Sequence, residues 1–413
     1  MQYLGGKKVK KPVVLDIFCG AGGMSEGFIQ AGFDVKFATD INETAKLTYM
    51  NRHEQLGYKT KFECIDIKKF SEKKFLEKFL EGEEIDVVCG GPPCQGFSLA
   101  GKRDKNDPRN MLFKSYINVI KNVKPKYFVM ENVEGILSMK FDNYIGVKKV
   151  EYSDESVAQI LIKECWQIGY YVEYKVLQAN DYGVPQTRRR VFFLGHKIRR
   201  VRGGKYKDLV IPPKFPARNE NNMVTIKQAI DDLPRLKAGE KKNTYNNKLN
   251  LTKYQIESIQ GRTPNKDGKK IKSIQIFNHE SAKHSKKVIK RFSLIGQGED
   301  LMMLKNKLKD EEWEMYKTKK TRCRRVIENR PSPTILTLPD DLIHYNQNRI
   351  MTVREFARIQ SFDDSFEFLG KRTTGGKLRK TDLPQYTQVG NAVPPLLAKA
   401  IAIEIRKALE NSI

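Results

Sequence analysis

No stretch of the 413-residue sequence approaches the roughly 18–20 consecutive apolar residues that cross a bilayer. The opening "MQYLGGKKVKKPVVLDIFCG" sets basic residues before an apolar run, but the run is short and Asp16 interrupts it. It reads as a first strand, not a signal peptide. Cysteine is scarce. The six thiols (19, 64, 89, 94, 165 and 323) are scattered with no CxxC pair, which argues against a disulfide framework and points to a reducing cytoplasm. Zinc-type spacing is missing too. "HESAKH" at 279–284 has histidines five apart, off a common helical face, so no metal is expected. No internal repeat is visible. Apolar residues make up 39%, enough for a globular core, and the length suggests one large and one smaller domain.

Acid is in the minority. The formal charge is +27, and a chain this basic usually meets a polyanion, most often nucleic acid. Residues 235–330 hold 26 lysines and arginines against 11 aspartates and glutamates, an excess of 15. More than half of the excess therefore lies in under a quarter of the chain, which a uniform lysine bias would not produce.

Residues 12–195 alternate regularly. "PVVLDIF", "FDVKFATD", "TKFECIDI", "IDVVCGG" and "PKYFVMENV" read as strands. "MSEGFIQAG", "NETAKLTYMNRH" with Asn42 as N-cap, "SEKKFLEKFLEG" and "NMLFKSYINVIKNV" read as helices. This alternation implies an α/β fold with a mostly parallel sheet covered by helices on both faces. Ligands bind such sheets beyond the carboxyl ends of the strands. The unusual clusters fall there: Asp16–Gly23, Asp40, Asp66, Gly90–Ser98 and Glu131–Gly135. "RRVRGGKYKDLVIPPKFP" looks like a linker. Residues 220–330 mix short elements with basic runs and suggest a separate basic domain. "TVREFARIQSF" is helical, and "LLAKAIAIEIRKAL" is an amphipathic terminal helix that must pack to be stable.

"DIFCGAGGMSEGF" is a strand, a glycine turn (Gly20, Gly22, Gly23, Gly27) and a helix. The glycines admit a cofactor to the backbone and the helix start supplies N–H groups, a pattern that suits NAD, FAD or S-adenosylmethionine. Asp40 is placed for ribose hydroxyls. Asp66 is placed for an adenine amino group, or is a plain strand-end acid. Cys94 follows the fourth strand and Glu131 the fifth; if these strands are neighbours, about 4.8 Å apart, both side chains reach one cleft. The frame "GGPPCQGFS" holds that thiol stiffly beside backbone N–H groups, a setting that lowers a thiol pKa. In "VPQTRRRVFFLG", Arg188 and Arg190 share one face of an extended strand and Arg189 the other. Paired arginines suit phosphate or a carbonyl edge; a salt bridge to Glu131 or Asp181 is the competing reading.

Taken together, "DIFCGAGGMSEGFIQAGF", "GGPPCQGFS", "ENVEG", "QTRRR", "RIMTVREFARIQSF" and "VGNAVPPLLAKAIA" resemble the DNA cytosine-C5 methyltransferase family of bacterial restriction–modification type, in the family's order. The resemblance covers about 12–200 and 331–407. It implies a Rossmann-like S-adenosylmethionine-dependent catalytic domain at 1–200 plus 385–413. A smaller mixed, basic target recognition domain would lie at 201–345, with a hinge at 346–384. It implies methyl transfer from S-adenosyl-L-methionine to C5 of a flipped cytosine in duplex DNA. In this reading Cys94 is the nucleophile, Glu131 contacts the ring, and Arg188 and Arg190 hold the base and its backbone. Phe18, Gly20, Ala21, Gly22, Gly23, Asp40, Ile41, Asp66, Ile67, Gly91, Asn391 and Ala392 bind the cofactor. Ser98, Gln186, Arg322, Arg324 and Arg325 are the DNA-contact candidates. The partner implied is duplex DNA, with room for a cognate restriction endonuclease; no membrane and no metal are implied. "SFDDSF" departs from the family's Phe-Pro-Asp, at a place expected to be remote from the chemistry. The rival readings are a tRNA methyltransferase of the same fold, a nicotinamide oxidoreductase and a non-catalytic DNA-binding protein. The oxidoreductase leaves "PPCQ" and "ENV" unexplained, and the DNA-binding protein leaves the thiol–glutamate pair unexplained.

Overall fold

The structure is a computed structural model. It describes residues 10–412 except 94–110, 142, 220–222, 247–249, 319–322 and 375–381, together with the backbone of 3–4 and 7–8. The first half of the chain alternates as its pattern predicts. Strand β1 (Val13–Ile17) leads to helix α1 (Gly23–Gln30), β2 (Asp34–Asp40) to α2 (Glu43–Gln55), and β3 (Lys61–Cys64) to α3 (Lys73–Leu80). β4 (Val87–Gly90), α4 (Leu112–Val123), β5 (Tyr127–Asn132) and α5 (Val157–Gln167) follow. Then come β6 (Tyr170–Gln178), β7 (Arg189–Arg200) and β8 (Tyr206–Asp208). The expected cap is present: the Asn42 side chain accepts from the Thr44 and Ala45 amides, using two of the orphan donors of the first turn.

One eight-stranded sheet results, in the order β6–β7–β5–β4–β1–β2–β3, with β8 on the far end of β7. β1 to β5 are mutually parallel where they pair, and β6 and β7 are antiparallel. β8 corrects one expectation: part of the supposed linker doubles back and extends the sheet, with Ile198 opposite Asp208. The pleat sorts the core. Leu15, Ile17, Val88, Phe128 and Met130 face α3, α4 and α5, whereas Val14, Val87, Cys89, Tyr127 and Val129 face α1 and the terminal helix.

Further cores form outside the sheet. Helices α6 (Ile226–Ile230) and α7 (Lys253–Gln260) share one with α9 (Val353–Ile359) and α10 (Gln385–Asn391), through Ile230, Tyr254, Phe356, Phe362 and Val389. The basic helix α8 (Lys286–Ser293) anchors a smaller one through Phe292, Leu301 and Ile343. The terminal helix α11 (Pro395–Glu410) lies along α1. Their approach requires Gly27, where a Cβ would sit 2.5 Å from both the Ala398 Cβ and the Lys399 nitrogen.

The "SFDDSF" departure sits at the joint between these bodies. Asp363 accepts from the Arg262 and Thr263 amides (2.7 and 2.9 Å) and lies 3.6 Å from Arg52 Nη2. Arg52, buried in α2, grips Glu26 of α1 through two bonds of 2.9 and 3.0 Å. Asp364 faces the other way, to Arg358 (2.6 Å), which also binds Asp232 at 2.9 Å. Buried charges persist only when paired in this manner. The position is therefore structurally central.

Candidate active site

The end of β1 forms a cradle. Phe18, Gly20 and Gly22 all have positive φ (54, 52 and 94°), which turns the chain sharply before α1. Asp40 at the end of β2 fastens the turn: one carboxylate oxygen accepts from the Gly20 amide (2.9 Å), the other from the Asn42 amide (3.0 Å). Burial pushes its carboxyl above the usual aspartate range. Among the described residues beyond its chain neighbours, no atom lies within 4 Å of where a Gly20 Cβ would be, so this side of the turn is open to a ligand. A Gly22 Cβ would come within 2.9 Å of Tyr49, and a Gly23 Cβ within 2.2 Å of the Val393 carbonyl oxygen. Ala21 is buried against the third core.

Ile41, just beyond Asp40, is 70% exposed, an apolar side chain held out at the rim. Asp66 is exposed and caps the turn after β3, accepting from the Lys68 amide at 2.8 Å. Ile67 turns into the core. At the other rim Asn391 is exposed at the end of α10, while Ala392 is buried and its carbonyl accepts from Gln360 (3.0 Å). The open glycine side, the carboxylate beside it and an exposed apolar rim suit an adenosyl group carrying an amino-acid tail.

β4 and β5 are parallel neighbours, with Gly90 opposite Met130. The condition for a shared cleft is met. Glu131 is almost fully buried, and Gly91 lies so close that a Cβ there would be 3.0 Å from Glu131 Oε2. Glu131 Oε1 is 3.0 Å from Arg190 Nε, the ion pair offered as one reading of the arginine run. Asn132 donates to the Pro92 carbonyl (3.1 Å) and so pins the two-proline stretch to β5. Cys94 and Ser98 lie outside the described residues.

The other arginines divide by exposure. Arg189 reaches out to Glu134 at 3.0 Å. Gln186 and Arg188 point inward. Gln186 donates to Gln360 (2.6 Å) and accepts from the Ile335 amide (2.9 Å). Arg188 donates to the Gly390 carbonyl at 3.1 Å. These two were expected at the base and the DNA; the structure puts them inside, where they bracket residues 335 and 390 to the sheet. Arg324 has a side chain 45% exposed, 3.8 Å from Asp300. Arg325 is buried, its guanidinium donating to the carbonyls of Phe292, Ile295, His344 and Gln347 and to the Asn348 side chain. That network uses its donors internally. Arg322 lies outside the described residues. Asp16 and Asn132 fall within the strand-end clusters that the sequence marked, but neither was given a role there.

The sheet order, the glycine cradle on β1 and the glutamate on β5 define a Rossmann-like methyltransferase. The family model described as C-5 cytosine-specific DNA methylase matches residues 13–407. The chain belongs to that family, and its activity is cytosine-C5 DNA methyl transfer. It is 36% identical over 405 residues to the Type II methyltransferase M.DdeI of Desulfomicrobium norvegicum, covering 96% of this chain and 89% of that one. It is 34% identical to M1.HphI of Haemophilus parahaemolyticus, over 96% and 87% of the two chains. A crystal structure of a prophage-encoded E. coli chain, described as a DNA modification methyltransferase, superposes with a TM-score of 0.68 at 26% identity, covering 97% of this chain and all of that one. The fold is also that of the S. pombe Dnmt2 methyltransferase, with a TM-score of 0.51 at 18% identity over 97% and 99% of the chains.

Proposed function

We propose that the chain methylates cytosine within a specific duplex DNA sequence, using S-adenosyl-L-methionine and a transient Cys94–C6 bond, as the modification partner of a restriction system. The observation that carries this reading is the Glu131–Arg190 pair beside the two-proline stretch that Asn132 holds, with only β4 between β5 and the strand that leads into the glycine cradle. C5 of cytosine is a poor nucleophile. Addition of the Cys94 thiolate at C6 makes the ring an enamine whose C5 attacks a methyl group. Glu131 hydrogen-bonds the ring at N3 as charge develops there, and Arg190 keeps that carboxyl aimed. The cofactor supplies the methyl group on a sulfonium. Loss of the C5 proton and departure of the thiolate restore the aromatic ring. The target must leave the helix stack, since C6 is inaccessible inside a duplex.

Gly20, Asp40, Ile41, Asp66 and Asn391 would hold the cofactor. Exposed Arg189 and Arg324 would contact DNA, and the restriction role follows from the relatives being Type II methyltransferases. The domain assignment follows the same reading: the sheet with α1 and α11 carries the chemistry, and the basic insert reads the sequence. Labelled methyl incorporation into cytosine of duplex DNA tests the activity, with tRNA as the competing substrate. Wild type labels the duplex and Cys94→Ser does not; full turnover by Cys94→Ser, or preference for tRNA, overturns the reading.

A further inference from the structure

Asp16 is a buried acid that the scheme above leaves unused. It sits in β1 with Ala38 of β2 and Cys89 of β4 on either side, two residues before the cradle begins. Its side chain is fully buried. Oδ2 accepts from the Ser25 hydroxyl (2.6 Å) in the first turn of α1, and the Tyr49 hydroxyl lies 2.7 Å from the same Ser25 oxygen. Tyr49 in turn packs under Gly22 of the cradle. Oδ1 makes no strong hydrogen bond among the described residues, and the Cys89 thiol beside the carboxyl is only a weak donor. The groups that face Asp16 are Ser25 on α1, Cys19 in the cradle, Asp40 on β2, Tyr49 on α2, Cys89 on β4 and Tyr116 on α4. Burial holds both thiols and both phenols well above their usual range, so they stay neutral, and none of these groups is a cation. Left so, burial pushes the Asp16 carboxyl up to about 7.

An anion whose only strong hydrogen bond comes from one hydroxyl, enclosed behind a loop and with no counter-ion among the described residues, is stabilised by any positive charge brought to that loop. Low dielectric lets such an interaction act over several ångströms without contact. The reaction itself changes the charge at this place. Methyl transfer turns a sulfonium cation into a neutral thioether, while the ribose, adenine and amino-acid groups stay the same. We propose that Asp16 senses this charge: its buried carboxylate favours cationic S-adenosylmethionine over the neutral product S-adenosylhomocysteine and so assists exchange of one for the other. The inference rests on the cofactor reading above. Binding of the cation releases the Asp16 proton, and conversion to the thioether lets the carboxyl take one up again.

The sign follows from the ionisation. Below pH 6 the carboxyl is neutral in either complex and discrimination is weak; above pH 7 it is ionised and the cation is preferred. Calorimetric titration of the full-length protein with each ligand at pH 6, 7 and 8, in two buffers of different ionisation enthalpy, measures affinity and proton release together. The wild type is expected to raise its preference for S-adenosylmethionine about fivefold from pH 6 to pH 8, within the roughly tenfold limit that one unit of pKa displacement sets. It also releases more protons with that ligand at pH 7. The ligand's own amino group titrates near this range too. Asp16→Asn supplies the baseline, with a preference that no longer follows the wild-type curve. An unchanged curve in Asp16→Asn overturns the proposal. Should that variant fail to fold, Ser25→Ala keeps the carboxyl but removes a bond favouring its ionised form, and must move the transition to higher pH; an unmoved transition overturns the proposal equally. Failure of either ligand to bind wild type would instead overturn the cofactor assignment.

Discussion

At the scale of single residues, the site depends on which polar side chains the fold turns outward. Glu131 and Arg190 sit on adjacent strands, and their 3.0 Å ion pair leaves Glu131 Oε2 on the Gly91 side. Glu131→Gln keeps the shape but loses the charge that answers N3 protonation. Turnover is expected to fall by about 10²–10⁴-fold with DNA affinity nearly unchanged, measured by single-turnover methylation beside a binding titration. Sequence showed these residue types at strand ends. It also showed that Arg188 and Arg190 share a face, but not that the same face changes from buried to cleft between them. Exposure at 188 is decided by Ile335 and Gly390, about 150 and 200 residues away, which no local pattern encodes.

At the scale of elements, contacts between segments far apart in the chain can be tested one at a time. The first is α1 against α11 through Gly27. Gly27→Ala forces a methyl group onto Ala398 and the backbone at Lys399, and is expected to cost about 1–3 kcal/mol, read as a lower urea midpoint at unchanged m-value. The second is the paired aspartates after α9. Asp363→Ala would leave Arg262 buried without its main carboxylate and two backbone amides without acceptors. A loss of about 3–5 kcal/mol is expected by the same unfolding measurement. The strands, helices and caps of the first half were legible because their periods and capping residues are local. The joint was not, because an Asp-Asp pair in sequence looks like a solvated turn. Only the convergence of α1, α2 and residue 262 makes it a buried anion site.

At the scale of the whole molecule, charge and shape combine. More than half of the excess of lysine and arginine lies in the insert, and the α8 lysines Lys286, Lys287 and Lys290 are exposed. DNA binding is expected to weaken steeply with salt. Lys286→Gln with Lys290→Gln should make the slope of log affinity against log salt less steep by about 0.9 for each phosphate that is no longer neutralised, without changing which sequence is methylated. Fluorescence anisotropy across a salt series, paired with bisulfite sequencing of the product, measures both. A changed methylation sequence would show that α8 reads bases.

The sequence by itself determined the α/β alternation, the glycine cradle, a cysteine and a glutamate each following a strand, and the basic insert. Each is written in residues close together in the chain, where period, capping and charge act directly. Tertiary structure alone decided the order of the strands, which arginines face the cleft, the placement of Asp363 at the joint and the isolation of Asp16 behind the cradle. Those outcomes depend on burial, and burial is conferred by partners far away in sequence.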